Sequence, residues 1–198
     1  MSQRAMTGNS DPRAVRSRQA LREAFLRAVQ SQSPSEMTVA ALARAAGISR
    51  TSFYEHFGSP EELAVDTLDE LFTTISDIDI TLRRAGSTTS PLEASRLAVQ
   101  ALVDFLGPRR TTYARLLGPG AAPTVYVAVS EAFVRHATDA LSRTAYRPDG
   151  VDVALTARFL AGGVLKVLGI WLAEPAPRPS EEVVDALIAC FPAWLTRT

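Results

Sequence analysis

The chain has 198 residues, enough for one medium domain or for a small domain joined to a larger one, with room for a buried core. Hydrophobic residues at 46% and charged residues at 21% exclude a collagen-like or intrinsically disordered chain, and a single cysteine, Cys190, excludes an intramolecular disulfide. The start Met1-Ser2-Gln3-Arg4 lacks the apolar run of a secretory signal, so a reducing cytoplasm is the expected compartment.

The formal net charge is zero, but it is unevenly spread. Residues 1 to 60 carry eight Arg against the four acids Asp11, Glu23, Glu36 and Glu55, a balance of +4, and the remainder therefore carries −4. A basic segment of this kind suits a polyanionic partner, because arginines that neutralise phosphates release condensed counterions. A solvated basic face has the same signature.

In chain order, residues 1 to 13 are small and polar and are expected to form a disordered lead-in. Leu21, Ala24, Phe25, Ala28 and Val29 recur at helical spacing, which predicts an amphipathic helix over 14–31. Thr38 suits the N-cap of a short helix over 39–46, and Gly47 suits its left-handed stop. Ser49 caps a second short helix reaching Tyr54 or His56. Ser59-Pro60-Glu61-Glu62 has a cap, a proline at the first helical position and a glutamate that closes a capping box, opening a long helix over 60–84.

The same opening recurs at Ser90-Pro91-Leu92-Glu93 for a helix to Leu106, and further helices are expected over 108–117 and 124–145. The stretch 151–173 is the most apolar: fourteen of the twenty residues from Val153 to Leu172 are hydrophobic and three more are glycine. Arg158 and Lys166 each cost about 2.5 to 3.5 kcal/mol at a bilayer centre, so a soluble helix buried on nearly every side is preferred over a membrane span. A last helix is expected over 180–197, kinked at Pro192. With about nine helices and no strand alternation, the fold class is all-α: a three-helix unit over 14–58, then a helical domain over 59–198 whose helix 60–84 connects the two.

Two short helices joined by a tight glycine turn inside a basic three-helix unit have the layout of a helix-turn-helix, in which the second helix enters the major groove. Ile48, Phe53 and Phe57 are its packing residues; Ser49, Arg50, Thr51, Ser52, Tyr54 and His56 are its hydrogen-bonding ones. An ordinary polar surface on a small bundle is the competing reading.

The run Thr38-Val39-Ala40-Ala41-Leu42-Ala43-Arg44-Ala45-Ala46-Gly47-Ile48-Ser49-Arg50-Thr51-Ser52-Phe53-Tyr54-Glu55-His56-Phe57-Gly58-Ser59-Pro60-Glu61-Glu62-Leu63 closely resembles the DNA-binding signature of tetracycline-repressor (TetR) type regulators. The resemblance covers about 45 residues. It implies a homodimer paired through its last two long helices, a double-stranded palindromic operator as partner, an unknown small-molecule effector, and no membrane. It further implies that Thr38, Ser52, Tyr54 and His56 face phosphates while Arg50 and Thr51 point at bases, with Ser49 at the helix start. Arg50 has the fork geometry for guanine, and Arg13, Arg16 and Arg18 are candidates for backbone or minor-groove contact. Pro60 and Ala40 depart from the family pattern, where a phosphate-binding lysine and a second polar base contact often stand.

The surplus apolar surface of the last two helices suits a twofold interface, with Gly162-Gly163 permitting close approach of a second subunit or of a bound molecule. Phe105, Tyr113, Tyr126, Phe133, Arg158 and Trp171 are the candidates to line an effector site, against the plainer alternative that they are core; Arg158, within an apolar helix, needs a partner. Catalysis, metal and cofactor find no parts here: the two histidines are His56 and His136, and there is no cysteine cluster, phosphate loop or nucleophile elbow. Two rival functions remain open at this stage, a ligand-independent DNA-binding regulator or activator whose helical domain only dimerises or binds another protein, and a helical enzyme or carrier that never meets DNA.

Overall fold

The computed structural model describes residues 11–32, 36–84 and 87–197, without the side chains of Glu70 and Leu71. It contains nine α-helices among these residues: α1 (Pro12–Val29), α2 (Val39–Ala45), α3 (Arg50–Tyr54), α4 (Pro60–Arg83), α5 (Pro91–Leu106), α6 (Arg110–Leu117), α7 (Pro123–Ser142), α8 (Val153–Ala173) and α9 (Ser180–Ala189). Two short 3-10 turns, Gly107–Arg109 and Ala193–Leu195, complete the regular structure. The all-α architecture is as the hydrophobic periodicity predicts.

Local chemistry accounts for most helix starts. The Ser59 and Ser90 hydroxyls accept from the amides of Glu62 and Glu93, both at 3.2 Å, with Pro60 and Pro91 at the first helical position. The expected start of the first helix needs correction: Asp11 is the cap, its carboxylate accepting from Arg13 N at 3.0 Å, so Pro12 and Arg13 are helical and not part of a tail. Residues 1–10 of the expected lead-in lie outside the described residues.

A continuous core joins α1–α3 to the rest. Leu21, Phe25, Phe53 and Phe57 of the first three helices and their turn belong to the same buried cluster as Leu63, Leu68 and Phe72 of α4, and it continues through Leu102 and Leu106 of α5 to Val164 and Leu168 of α8. Helix α4 thereby runs from the small N-terminal unit into the larger one, packing on α1 at its start and on α5 and α7 along its length. Between α6 and α8 the backbones nearly touch: a Cβ on Gly169 would stand 2.0 Å from the Leu117 carbonyl oxygen. Only glycine permits this crossing.

Two further expectations are corrected. Helix α8 is long and apolar enough by length and composition to cross a membrane, yet it is not buried on nearly every side. Ala157, Leu160, Val164, Leu165, Leu168 and Trp171 face inward, while Leu155, Phe159, Val167 and Ile170 form an exposed apolar stripe on the opposite side. The last helix does not continue through a kink at Pro192 to 197; it stops at Ala189. Pro192 has no amide to donate and disfavours helical backbone at Phe191. The chain instead turns back onto α5, where Leu195 is buried, Leu195 O accepts from Ser95 Oγ at 2.6 Å, and Arg197 O accepts from Leu92 N at 3.1 Å.

Candidate nucleic-acid interface

Helix α2 begins at Thr38, whose Oγ1 accepts from Ala41 N at 3.2 Å. It ends at Gly47, whose φ of +71° reverses the chain in the left-handed region at no steric cost. Gly47 N donates to Arg44 O at 3.1 Å and Ile48 N to Ala43 O at 2.9 Å, closing the turn. The next residue, Ser49, caps α3 by accepting from Ser52 N at 3.0 Å. Two hydroxyl caps separated by one glycine turn therefore determine how α3 leaves α2.

One face of α3 is anchored. Phe53 and Phe57 are buried, Phe53 packing against Phe57 at 6.0 Å between ring centroids, and the Arg18 guanidinium lies 5.5 Å from the Phe57 ring. Its other face is open: Ser49, Arg50 and Thr51 are exposed, Tyr54 is 54% exposed with its ring edge-on to Phe53, and Ser52 and His56 are half-buried beside them. Thr38 is exposed at the start of α2. A hydroxyl that caps a helix uses its oxygen as acceptor and keeps its hydrogen to donate; Ser49 gives that hydrogen to Ser52 Oγ at 3.2 Å, and Thr38 keeps its own for a phosphate oxygen. The face holds a guanidinium, hydroxyls, an imidazole and a phenol, the groups that bind base edges and phosphates.

The basic balance of this unit is partly spent inside the protein. The buried Asp66 carboxylate of α4 accepts from Arg22 Nε at 2.7 Å and is paired also with Arg18. Arg18 is thereby held against α4, with about half of its side chain still exposed. Arg13, Arg16, Arg44 and Arg50 are exposed as well. Burial alone pushes the Asp66 carboxyl up, but the hydrogen bonds and charges of Arg18 and Arg22 outweigh it and hold the group below the usual carboxylate range.

Residues 21–67 match the family model described as bacterial regulatory proteins, tetR family. A 91-residue stretch is 29% identical to the HTH-type transcriptional regulator BetI of Rhizobium meliloti (strain 1021), a match spanning 46% of this chain and 45% of that one. The chain thus aligns with under half the length of that curated relative. The fold extends further: the fatty acid degradation regulator FadR from Bacillus halodurans superposes with a TM-score of 0.64 at 14% identity, covering 91% of this chain and 95% of that one. Thermus thermophilus FadR, a TetR-family repressor solved with lauroyl-CoA, gives 0.63 at 19% identity over 91% and 95%.

The similarity to the tetR family of bacterial regulatory proteins thus lies in residues 21–67, which hold the second half of α1, all of α2 and α3 and the start of α4, while the rest of the chain shares the fold of the solved regulators.

The larger unit holds a partly open cavity of about 100 Å³ between α4, α5, α7, α8 and the C-terminal segment. Of the six effector-site candidates named from sequence, Phe133 lines it. The others stand elsewhere. Tyr113 is core, packed beneath the exposed Phe105 at 5.7 Å between centroids; Tyr126 is half-buried on the first turn of α7. The Trp171 indole donates to Arg178 O at 3.0 Å, closing the α8–α9 connection. Arg158 needs no buried partner, because it projects into solvent and donates to Ala154 O of its own helix at 3.3 Å.

The polar residues at the cavity are ones that the sequence reading passed over. Arg83, 3% exposed, donates from Nε to Asp79 Oδ1 at 2.6 Å, from Nη1 to Tyr146 Oη at 2.5 Å and from Nη2 to Ser95 Oγ at 2.7 Å. Burial pushes the Asp79 carboxyl upward against the opposing charge and hydrogen bond of Arg83. His136 meets Asp69 through its ring nitrogen at 2.9 Å. The Asp79 to Arg83 spacing of four residues is the visible signal, since both interrupt the apolar stripe of α4.

Proposed function

We propose that this chain is a homodimeric repressor whose α3 reads a palindromic operator and which a small-molecule effector releases. One observation carries the DNA-reading role: the three-helix unit holds α3 by Phe53 and Phe57 while leaving Arg50, Thr51 and Tyr54 facing outward. Arg50 and Thr51 contact base edges; Thr38, Ser52, Tyr54 and His56, with Arg16 on α1, hold backbone, and Ser49 sets the start of the reading helix. At Pro60 the lysine contact is missing, since the Gly58 and Glu62 amides at the start of α4 are taken by Glu62 and Ser59.

Dimerisation is supported by the exposed stripe of Leu155, Phe159, Val167 and Ile170 on α8, an apolar strip of a kind that monomers seldom leave to water. Gly162 and Gly163 lie on the same side with nothing within 4 Å of where a Cβ would stand, so a partner helix has room to approach. A twofold pair presents its two α3 helices to half-sites about one DNA turn, roughly 34 to 36 Å, apart.

The cavity supports effector control over a purely ligand-independent regulator. It is walled on one side by Phe72, Ile75 and Asp79 of α4, the helix that Asp66 ties to α1. Thermus thermophilus FadR, a transcriptional repressor of this fold solved in complex with lauroyl-CoA, supports a repressor that takes a small molecule. A molecule that prefers one setting of α4 shifts the population of DNA-competent dimers by its differential affinity.

The test is selection of genomic fragments by the purified full chain at several salt concentrations, with wild type and the Arg50→Ala/Tyr54→Ala double variant in parallel. A palindromic site enriched by wild type and lost by the variant supports the reading. Equal enrichment by both overturns it, because DNA would then be held by another surface.

A further inference from the structure

The wall of the cavity says what kind of molecule belongs in it. Most of it is hydrocarbon and aromatic, from Phe72, Val99, Leu102, Phe133, Leu160 and Val164. Phe72 and Phe133 meet edge to face in its wall, 5.3 Å between centroids and perpendicular. The polar groups present are already engaged with one another. Arg83 spends Nε, Nη1 and Nη2 on Asp79, Tyr146 and Ser95; Ser95 donates onward to Leu195 O; Ser76 donates to His136 O at 3.4 Å; and the His136 ring is taken by Asp69. Among the described residues, no buried side-chain nitrogen or oxygen lacks a partner.

Two consequences follow for an incoming ligand. The formal charges of Asp79 and Arg83 cancel within the wall, so the site offers no net charge to an ion. An anion would lose its water beside Asp79, and a cation beside Arg83, with every facing group already committed. A neutral apolar molecule gives up no hydration shell of that kind and gains contact with the rings and aliphatic side chains. Size limits it as well. An apolar cavity of ~150 Å³ holds benzene; this one is about 100 Å³ and open on one side, so a single ring fills it with its edge at the mouth.

Resting on the reading of the larger unit as the effector domain, we propose that the cavity takes a compact, uncharged hydrophobic molecule on the scale of a single ring, bound without a charged head group. Such an occupant touches Phe72 directly, and through α4 it acts on the helix that carries the DNA-reading unit.

The experiment uses the full-length protein with toluene and cyclohexanone as neutral probes and benzoate and benzylamine as charged congeners of similar size. Binding is read by titration calorimetry and by ligand-observed NMR, without DNA. Ala98→Leu and Ala137→Leu serve as separate cavity-filling variants, with circular dichroism confirming that each keeps its helix content. The expected result is binding of the neutral probes, at least ~100-fold weaker binding of the charged ones, and at least ~10-fold loss of neutral-probe affinity in each folded variant. Charged congeners binding as tightly as neutral ones, no neutral probe binding at all, or neutral binding unchanged in both variants would each overturn the proposal. Neutral probes that bind as expected but leave selected operator fragments bound support the occupant class and overturn effector release instead.

Discussion

Asp66 of α4 and Arg22 of α1 meet at 2.7 Å, an ion pair bridging 44 positions in sequence and joining the DNA-reading unit to the helix that walls the cavity. Asp66 is 8% exposed and shared with Arg18, so both of its arginines approach a carboxylate that is largely out of water. Replacing it by Ala leaves two guanidiniums without their acceptor and the α1–α4 packing without its polar tie. The expected loss is about 1 to 3 kcal/mol of unfolding free energy, measured by urea denaturation at neutral pH.

The same pair sets an acid dependence. Because the folded Asp66 carboxyl lies below its ordinary value, its contribution is fully present above the unfolded carboxylate range, near pH 3.9, and is lost as pH falls through the folded value. Wild type should therefore lose its advantage over Asp66→Asn as pH is lowered, and thermal melts from pH 7 to pH 3 should converge. Melts that stay equally separated across that range contradict the assignment.

Arg83 should behave as a buried charge whose removal costs more than its pairing contributes. Arg83→Met strands Asp79 and is expected to destabilise by about 3 to 5 kcal/mol, while Asp79→Leu/Arg83→Met together recover most of that loss. In the single variant Asp79 loses the one charge that opposes its burial, so its folded pKa rises further. The deficit should then grow as pH rises from the ordinary carboxylate range, the reverse of the Asp66 case. Chemical denaturation of both variants at pH 5 and pH 8 checks the sign.

At the α6–α8 crossing, Gly169→Ala places a methyl group 2.0 Å from a backbone oxygen that no rotamer can move. A loss of about 1 to 3 kcal/mol is expected from overpacking. Gly163→Ala meets nothing within 4 Å in a single subunit and should gain up to about 1 kcal/mol from helix propensity when monomer is measured. Thermal unfolding at low protein concentration separates the two glycines.

Phe159, 65% exposed on α8, contributes to no core cluster in the single chain. Phe159→Arg should leave helix content and monomer stability within about 0.5 kcal/mol of wild type while shifting sedimentation from dimer to monomer. Retained dimer in this variant and in Leu155→Arg places the subunit contact elsewhere.

Arg50 and Tyr54 should separate by kind of contact. Arg50→Ala should cost about 1 to 3 kcal/mol on the selected site and relax preference at one base pair in each half-site. Tyr54→Phe should weaken binding evenly across sequences. Competition binding with single-base operator variants distinguishes them.

Much of the DNA-reading unit could be read directly from the chain, because its information is local. The caps at Thr38, Ser49 and Ser59, the reversal at Gly47 and the inward aromatics Phe53 and Phe57 all act within a few residues of where they are written. The cavity could not be read this way. Its members come from four helices and the C-terminal segment, and periodicity along one helix does not show which residues face a void and which face a neighbour; hence of residues that look alike in sequence, Phe133 lines the cavity while Tyr113, Trp171 and Arg158 lie in core, connection and surface. Asp66, Asp69 and Ser95 likewise look like solvated polar residues until Arg22, His136 and Arg83 arrive from 44, 67 and 12 positions away. Sequence alone determined the helices, their caps and the polar face of α3, since those depend on the 3.6-residue period and on backbone donors one turn apart. Tertiary structure decided which arginines are consumed by Asp66, which apolar stripe of α8 remains outside, and what surrounds the cavity, since those depend on contacts that exist only when distant helices pack.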